Sequence, residues 1–214
     1  MWRDSTVAGV PAEPDDRVLQ VHLVRHGQST WNLAHRIQGQ IVHPGLTPMG
    51  REQAEQAAAT LRRTVTGRVV LWSSDLVRAA QTAQIIARAL RVSVQHDEAL
   101  REQHLGSMQG RRTGQLRAEP TPEGQHVSEV RWAGGESTED VAARLRYFAR
   151  RELRATPSTV EHLVLVSHGD TIRAARAVLT GLSHRDLDWA PIPNGSVHTI
   201  ALPNGRLPVI GPLP

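Results

Sequence analysis

The chain contains no cysteine, so disulfides and thiolate chemistry are excluded. That absence alone does not fix a compartment. Lysine is also missing, so all 25 basic residues are arginine, as a GC-rich coding sequence produces. Aromatic residues make up only 3% of the chain, so its core must be aliphatic and rich in alanine. No apolar run approaches the length of a membrane span, and no membrane association is expected. Residues 1–16 lack an apolar stretch and carry Asp4, Glu13, Asp15 and Asp16, which argues against a signal peptide. They read as a disordered leader, and the expected location is cytoplasmic. The net charge of +4 is modest, and the arginines are scattered rather than gathered in a tail. Nucleic acid is therefore not an expected partner, whereas a small anionic substrate suits the sign of the charge.

What is present is an alternation of periods. Val18 to Val24 reads as a strand. Thr47-Pro48 opens an alanine-rich helix to about Leu61, with Thr as N-cap and Pro in the first turn. Val69 to Trp72 is the next strand. From Asp75 to Leu90, Ala79, Ala83, Ile86 and Leu90 recur at helical spacing. Val92 to Val94 is a short strand. Ser137, with Asp140 three residues on, caps a helix whose stripe is Val141, Leu145 and Phe148. His162 to Val166 is a strand, Thr171 to Thr180 a helix ended by Gly181, and Ser196 to Leu202 a last strand before a Pro-rich tail. Strands alternating with helices imply a largely parallel sheet covered on both faces, in one domain over residues 17–214. Residues 103–135 are rich in Gly, Pro, Gln and Arg without periodicity, and read as a cap inserted into that domain.

Two short strands end alike. Val21-His22-Leu23-Val24 leads into Arg25-His26-Gly27, and Leu163-Val164-Leu165-Val166 leads into Ser167-His168-Gly169. A parallel sheet gathers such strand ends at one edge, where ligands bind. Two histidines and an arginine there suit an anion. A metal site is the competing reading. It is weakened by Arg25 and Arg78, which would repel a cation, and by the lack of a His-x-x-x-His pair or paired carboxylates. Gly27 after His26 would allow close backbone approach of a ligand. Arg25 can grip phosphate in a bidentate fork. Arg78 falls in the first turn of a helix, where a cation is disfavoured unless it meets an anion. Asn32 alone is an ordinary turn cap, Gln38-Gly39 an ordinary turn, and Glu102 an ordinary surface charge. Asp170 and Arg173 read as structural residues of a helix start.

The run Arg25-His26-Gly27-Gln28-Ser29-Thr30-Trp31-Asn32, the pattern Ser73-Ser74-Asp75-Leu76-Val77-Arg78-Ala79 and the segment Leu100 to Gly106 together resemble the histidine phosphatase superfamily, the phosphoglycerate-mutase-like proteins, from about Val18 to Leu202. The resemblance implies a three-layer α/β/α sandwich with a mostly parallel sheet and a short cap. It implies His26 as a transiently phosphorylated nucleophile and His168 as a stabiliser of the transferring group. Arg25, Asn32, Gln38, Gly39, Arg78 and Gly169 would lie around the phosphoryl group, with Glu102 as acid at the leaving oxygen. No metal and no cofactor are expected.

The match has gaps. Gly39 to Thr47 lacks the acid that members often carry and is a residue longer, and residues 111–133 form a short insertion without the Arg-Arg-Ser-Tyr-Asp motif of glycolytic mutases. The expected activity is therefore a phosphatase, acting on a small phosphorylated metabolite such as a sugar phosphate or phosphoglycerate derivative. A phosphoglycerate mutase is the alternative, and an idle binding protein is disfavoured because His26, Arg78, Glu102 and His168 are all present. The sequence leaves the oligomeric state open, a homodimer included.

Overall fold

Alternating apolar residues on the strands and small residues on the helices settle how the layers meet. The structure, a computed structural model, describes residues 17–117 and 119–208. The leader expected over residues 1–16 and the end of the Pro-rich tail lie outside the described residues. The strands are β1 (Val18–Arg25), β2 (Arg68–Ser73), β3 (Val94–His96), β4 (Val160–Ser167) and β5 (Val197–Pro203). The helices are α1 (Thr30–Leu33), α2 (Pro48–Thr64), α3 (Val77–Leu90), α4 (Thr138–Ala155) and α5 (Gly169–Thr180). They form one five-stranded sheet in the order β3-β2-β4-β1-β5. β1 to β4 run parallel and β5 pairs antiparallel with β1. The sandwich is thus mostly parallel with one antiparallel edge.

Side chains alternate across this sheet. Val21, Leu23, Leu163 and Leu165 join Val141, Leu145, Phe148, Ile172 and Val178 of α4 and α5 in one core. Val24, Leu71, Val164 and Val166 join Ala57, Ala58, Leu61, Ala79, Ala83 and Ile86 of α2 and α3 in the other. Alanines let those two helices approach the sheet closely, at the cost of less apolar area per residue. On the α4 side Phe148 meets Trp72 edge-on, with ring centroids 5.6 Å apart.

Two boundaries differ from the sequence expectation. β3 begins at Val94, not Val92, because α3 closes through Arg91 in the left-handed conformation (φ 59) and the Val92 N–H still bonds the Ala87 carbonyl at 3.1 Å. α3 begins at Val77 rather than Asp75, whose carboxylate takes the Arg101 guanidinium in a fork (2.8 and 2.5 Å). α1 is not among the expected elements, and the remaining elements start and stop within about three residues of expectation, the largest difference being the end of α2 at Thr64.

Among the described residues of 103–135 there are four short 3-10 turns and no α-helix. This segment is tied back at both ends. Ile37 and Gly110–Arg111 exchange backbone bonds of 2.8 and 2.9 Å, and Glu136 accepts the His104 N–H at 2.8 Å. Those ties bring it against the turn that holds Gln38 and Gly39.

Candidate active site

β1 and β4 are neighbours in register, Arg25 opposite Ser167, so their ends deliver His26 and His168 to the same place. The His26 N–H continues the ladder onto the Ser167 carbonyl at 3.0 Å. The two rings meet edge-on with centroids 5.0 Å apart, and both residues are buried (2% and 0% exposed). His26 Nδ1 lies 2.7 Å from the Gly27 carbonyl, which can only accept. Nδ1 therefore carries the hydrogen and Nε2 presents its lone pair. His168 Nε2 meets Ser74 Oγ at 3.0 Å.

The two glycines after these histidines are not equivalent. A Cβ at Gly27 would stand 2.0 Å from the Gly50 carbonyl oxygen. Gly27 is required by the start of α2 pressing on it, a packing reason that the sequence reading lacked. A Cβ at Gly169 would meet only the Arg25 guanidinium at 3.8 Å and Glu102 Oε2 at 3.9 Å, in ordinary contact. Gly169 thus faces the space between those two groups.

Arg78 is wholly buried. The α3 start places it under the Gln38–Ile41 turn, where it donates to the carbonyls of Gly39 (2.8 Å) and Ile41 (2.9 Å). Gly39 has φ +48, and the Gln109 side chain occupies the space its Cβ would need, so glycine is demanded twice over. Arg25 donates one Nη to the Ile192 carbonyl. Glu102 follows the 3-10 turn Glu98–Leu100, and its Oε1 accepts from the backbone N–H of Gln103 and Thr171, each at 3.1 Å, while the Thr171 hydroxyl donates to the Arg101 carbonyl at 2.8 Å. The N-terminus of α5 thus fixes one oxygen and leaves Oε2 to face Gly169. The Glu102 carbonyl is gripped by Gln40 and Arg144, both at 3.1 Å.

Asn32 Oδ1 caps the Ser29 turn, accepting from the Ser29 N–H at 3.0 Å, while Ser29 Oγ donates to Gln38 Oε1 at 2.7 Å. The capping reading of Asn32 therefore describes its oxygen. Asn194 Nδ2 donates to the His26 carbonyl at 3.0 Å and reaches Asn32 Oδ1 at 3.4 Å, so the approach to β5 also supports the site. Asp170 pairs with Arg173 one turn into α5, and Arg173 lies over the Trp189 ring.

Four buried nitrogens without a hydrogen-bond partner among the described residues lie at this edge, Nε of Arg25, Nε of Arg78, Nε of Arg173 and Nδ1 of His168; Trp72 Nε1, against the core on β2, is another. Such groups are costly, roughly 1–3 kcal/mol each, and native proteins avoid them away from sites. Burial, then the charges of Arg78 and Arg25, hold the His26 imidazole well below its usual range. Burial, then Arg78 and His26, do the same to His168. Both rings are thus neutral at pH 7. Burial lowers Arg78 to about 10 against the opposing pull of Glu102, and lowers Arg25 in the same way. Burial and the Glu102 charge push Asp170 up to about 6. The arrangement offers a neutral imidazole nucleophile, two cations for an anion and one oriented carboxyl oxygen. Among the described residues, no group of three or more His, Cys, Asp or Glu could hold a metal ion.

All nine residues singled out in the sequence come to this edge or to the turn beside it. Sequence reasoning missed Ser74, Thr171, Asn194 and Arg144. Only Asn194-Gly195, a turn pair before an apolar strand, carried a local signal.

The family model described as histidine phosphatase superfamily (branch 1) matches residues 21–210. A probable phosphoglycerate mutase GpmB from Proteus mirabilis is 38% identical over 175 residues, covering 77% of this chain and 76% of that protein. A glucosyl-3-phosphoglycerate phosphatase from Mycobacterium tuberculosis is 36% identical over 175 residues, covering 78% and 77%. The solved native structure of the mycobacterial glucosyl-3-phosphoglycerate phosphatase superposes with TM-score 0.71 at 30% identity, covering 86% of this chain and 91% of that one. No helix among the described residues is long and apolar enough to cross a membrane.

Proposed function

Because this chain belongs to branch 1 of the histidine phosphatase superfamily, we propose that it is a metal-independent phosphomonoesterase that works through a phosphohistidine on a small phosphorylated metabolite. The observation that carries this reading is the set of unpartnered buried nitrogens on Arg25, Arg78 and His168 around His26, an arrangement that an anion would complete.

His26 Nε2 attacks phosphorus in line, forming the P–N bond as the P–O bond to the ester oxygen breaks. That oxygen leaves as an alcohol by taking the proton from Glu102, carried on Oε2 because Oε1 is already engaged by the backbone N–H groups of Gln103 and Thr171. Arg25, Arg78 and His168 stabilise the charge on the non-bridging oxygens. Water then attacks the phosphohistidine and gives its proton to Glu102, which restores both groups and releases inorganic phosphate.

The short segment over residues 103–135, with no α-helix among its described residues, favours hydrolysis over mutase chemistry, which must keep water from the phosphoenzyme. Glucosyl-3-phosphoglycerate, the substrate in the name of one relative, and phosphoglycerate itself are the first compounds to test. With chelator present, each should release phosphate, and acid-labile label should be trapped on His26 in a rapid quench. Isomer exchange without phosphate release would establish the mutase instead. Strict dependence on an added divalent metal would overturn the mechanism.

A further inference from the structure

The edge of the sheet opposite the histidines carries a second concentration of arginine. Where β1 and β4 begin, the C-terminal half of α4 and the turn after β5 enclose a cleft of about 770 Å³. Eight-residue strands separate it from His26 and His168 by roughly 25 Å. Arg146, Arg150 and Arg154 form a column at i, i+4 and i+8 along one wall, and Arg206 lines the cleft after β5. Leu153, Val178 and Leu207 supply apolar surface between them.

The other arginines of α4 have partners. Arg144 pairs with Glu136, and Arg151 pairs with both Asp97 and Glu152. Arg101, Arg131, Arg176 and Arg185 are likewise paired with acids. The side chains of Arg146, Arg150, Arg154 and Arg206 make neither a hydrogen bond nor an ion pair among the described residues. Arg17, which also lines the cleft, has interactions of its own and is not counted with them. Like charges at i, i+4 destabilise a helix, and four of them on one concave wall focus a positive potential. Nothing in the phosphatase chemistry uses this wall.

We propose that this cleft binds an organic polyphosphate, a nucleoside di- or triphosphate in its chemistry, at a site separate from the phosphoryl-transfer site. Guanidinium forks suit phosphate oxygens. The apolar surface suits the uncharged part of such a molecule, and the volume falls in the range of small-molecule sites.

The test is calorimetric titration of the full chain with the β,γ-methylene analogue of ATP, which cannot be hydrolysed at the terminal bridge, at physiological salt. We expect saturable micromolar binding that weakens at least tenfold in Arg150→Glu/Arg154→Glu and also in the milder Arg150→Gln/Arg154→Gln. Both variants alter exposed side chains, so both should keep the native circular dichroism and phosphate release. Arg78→Ala should leave the binding intact. Loss of binding in Arg78→Ala, with retention in the two cleft variants, would place the nucleotide in the phosphoryl site and overturn the proposal. So would an absence of binding to the native chain. Binding that appears only after Glu13, Asp15 and Asp16 become amides would assign the cleft to the chain's own acidic leader, and would equally overturn it.

Discussion

β1 and β4 each carry one buried histidine and deliver a second just past their last residue, and the pairs these form are opposites. His22 and His162 lie one below the other within the sheet, stacked with centroids 5.3 Å apart and planes 19° apart. Every ring nitrogen there is used. The Thr66 N–H can only donate, so His162 Nε2 accepts it at 3.3 Å. His162 Nδ1 then donates to His22 Nε2 at 3.0 Å, and His22 Nδ1 donates to Thr199 Oγ at 2.9 Å. His26 and His168, four and six residues further along the chain and just past the ends of those strands, meet edge-on and leave Nδ1 of His168 without a partner, under the charges of the buried Arg78 and the half-buried Arg25. Both pairs are buried, and burial also lowers the pKa of His22, to about 4. Neither burial nor a depressed pKa therefore marks the site. Unspent hydrogen-bonding capacity beside cations does.

The sharpest way to break this contrast is to remove one histidine from each pair. His26→Ala should lose at least about 10⁴-fold in turnover while keeping a cooperative fold. His162→Ala should do the reverse. It strands the Thr66 N–H and His22 Nε2 and opens a cavity, so it should cost about 2–4 kcal/mol in denaturant unfolding. Its turnover should stay within about twofold of native, because its ring touches no group of the site. Comparable activity losses in the two variants would dissolve the distinction.

Glu102→Gln comes next in size. The amide cannot supply the proton, so hydrolysis of alkyl phosphates should fall by about 10²–10⁴-fold. Aryl phosphates, whose leaving groups need less protonation, should fall much less, and a uniform loss across leaving groups would remove the acid role from Glu102. The amide also changes the charge facing Arg25 and Arg78, so the KM of both substrate types should move together.

The sequence revealed the site through local patterns. Apolar runs ending in His-Gly, a capped helix start and an acid in a loop can all be read along the chain, and parallel pairing supplies their convergence. It was silent where a residue's task depends on something distant. His22 and His162 read as members of a strand, because their bond spans 140 residues. Gly27 reads as room for a ligand until Gly50 is seen to press on it. Thr171 and Arg144 matter only because Glu102, 69 and 42 residues away, leans on them. The antiparallel direction of β5 and the late start of β3 follow from the same limit: strand register is a property of the sheet, and propensity does not encode it.

The smallest expected effect is the dependence of stability on pH, and it sharpens the comparison from the structural side. The His22 pKa is about 4 in the folded protein against an ordinary 6.5, so the folded state binds fewer protons between those values. Its contribution is full above pH 6.5 and is lost as pH falls through 6.5 towards 4, to a limit of about 3 kcal/mol. His26 and His168 are lowered too and act with the same sign. Asp170, pushed up to about 6, acts in the opposite sense, but 38% of its side chain remains open to solvent, which damps it. Unfolding free energy should therefore fall between pH 7 and 5. His22→Gln should flatten that fall, because the amide has no proton to gain, and should leave turnover at pH 7 unchanged. A His22→Gln curve parallel to the native one would show that His22 takes no part in the acid response.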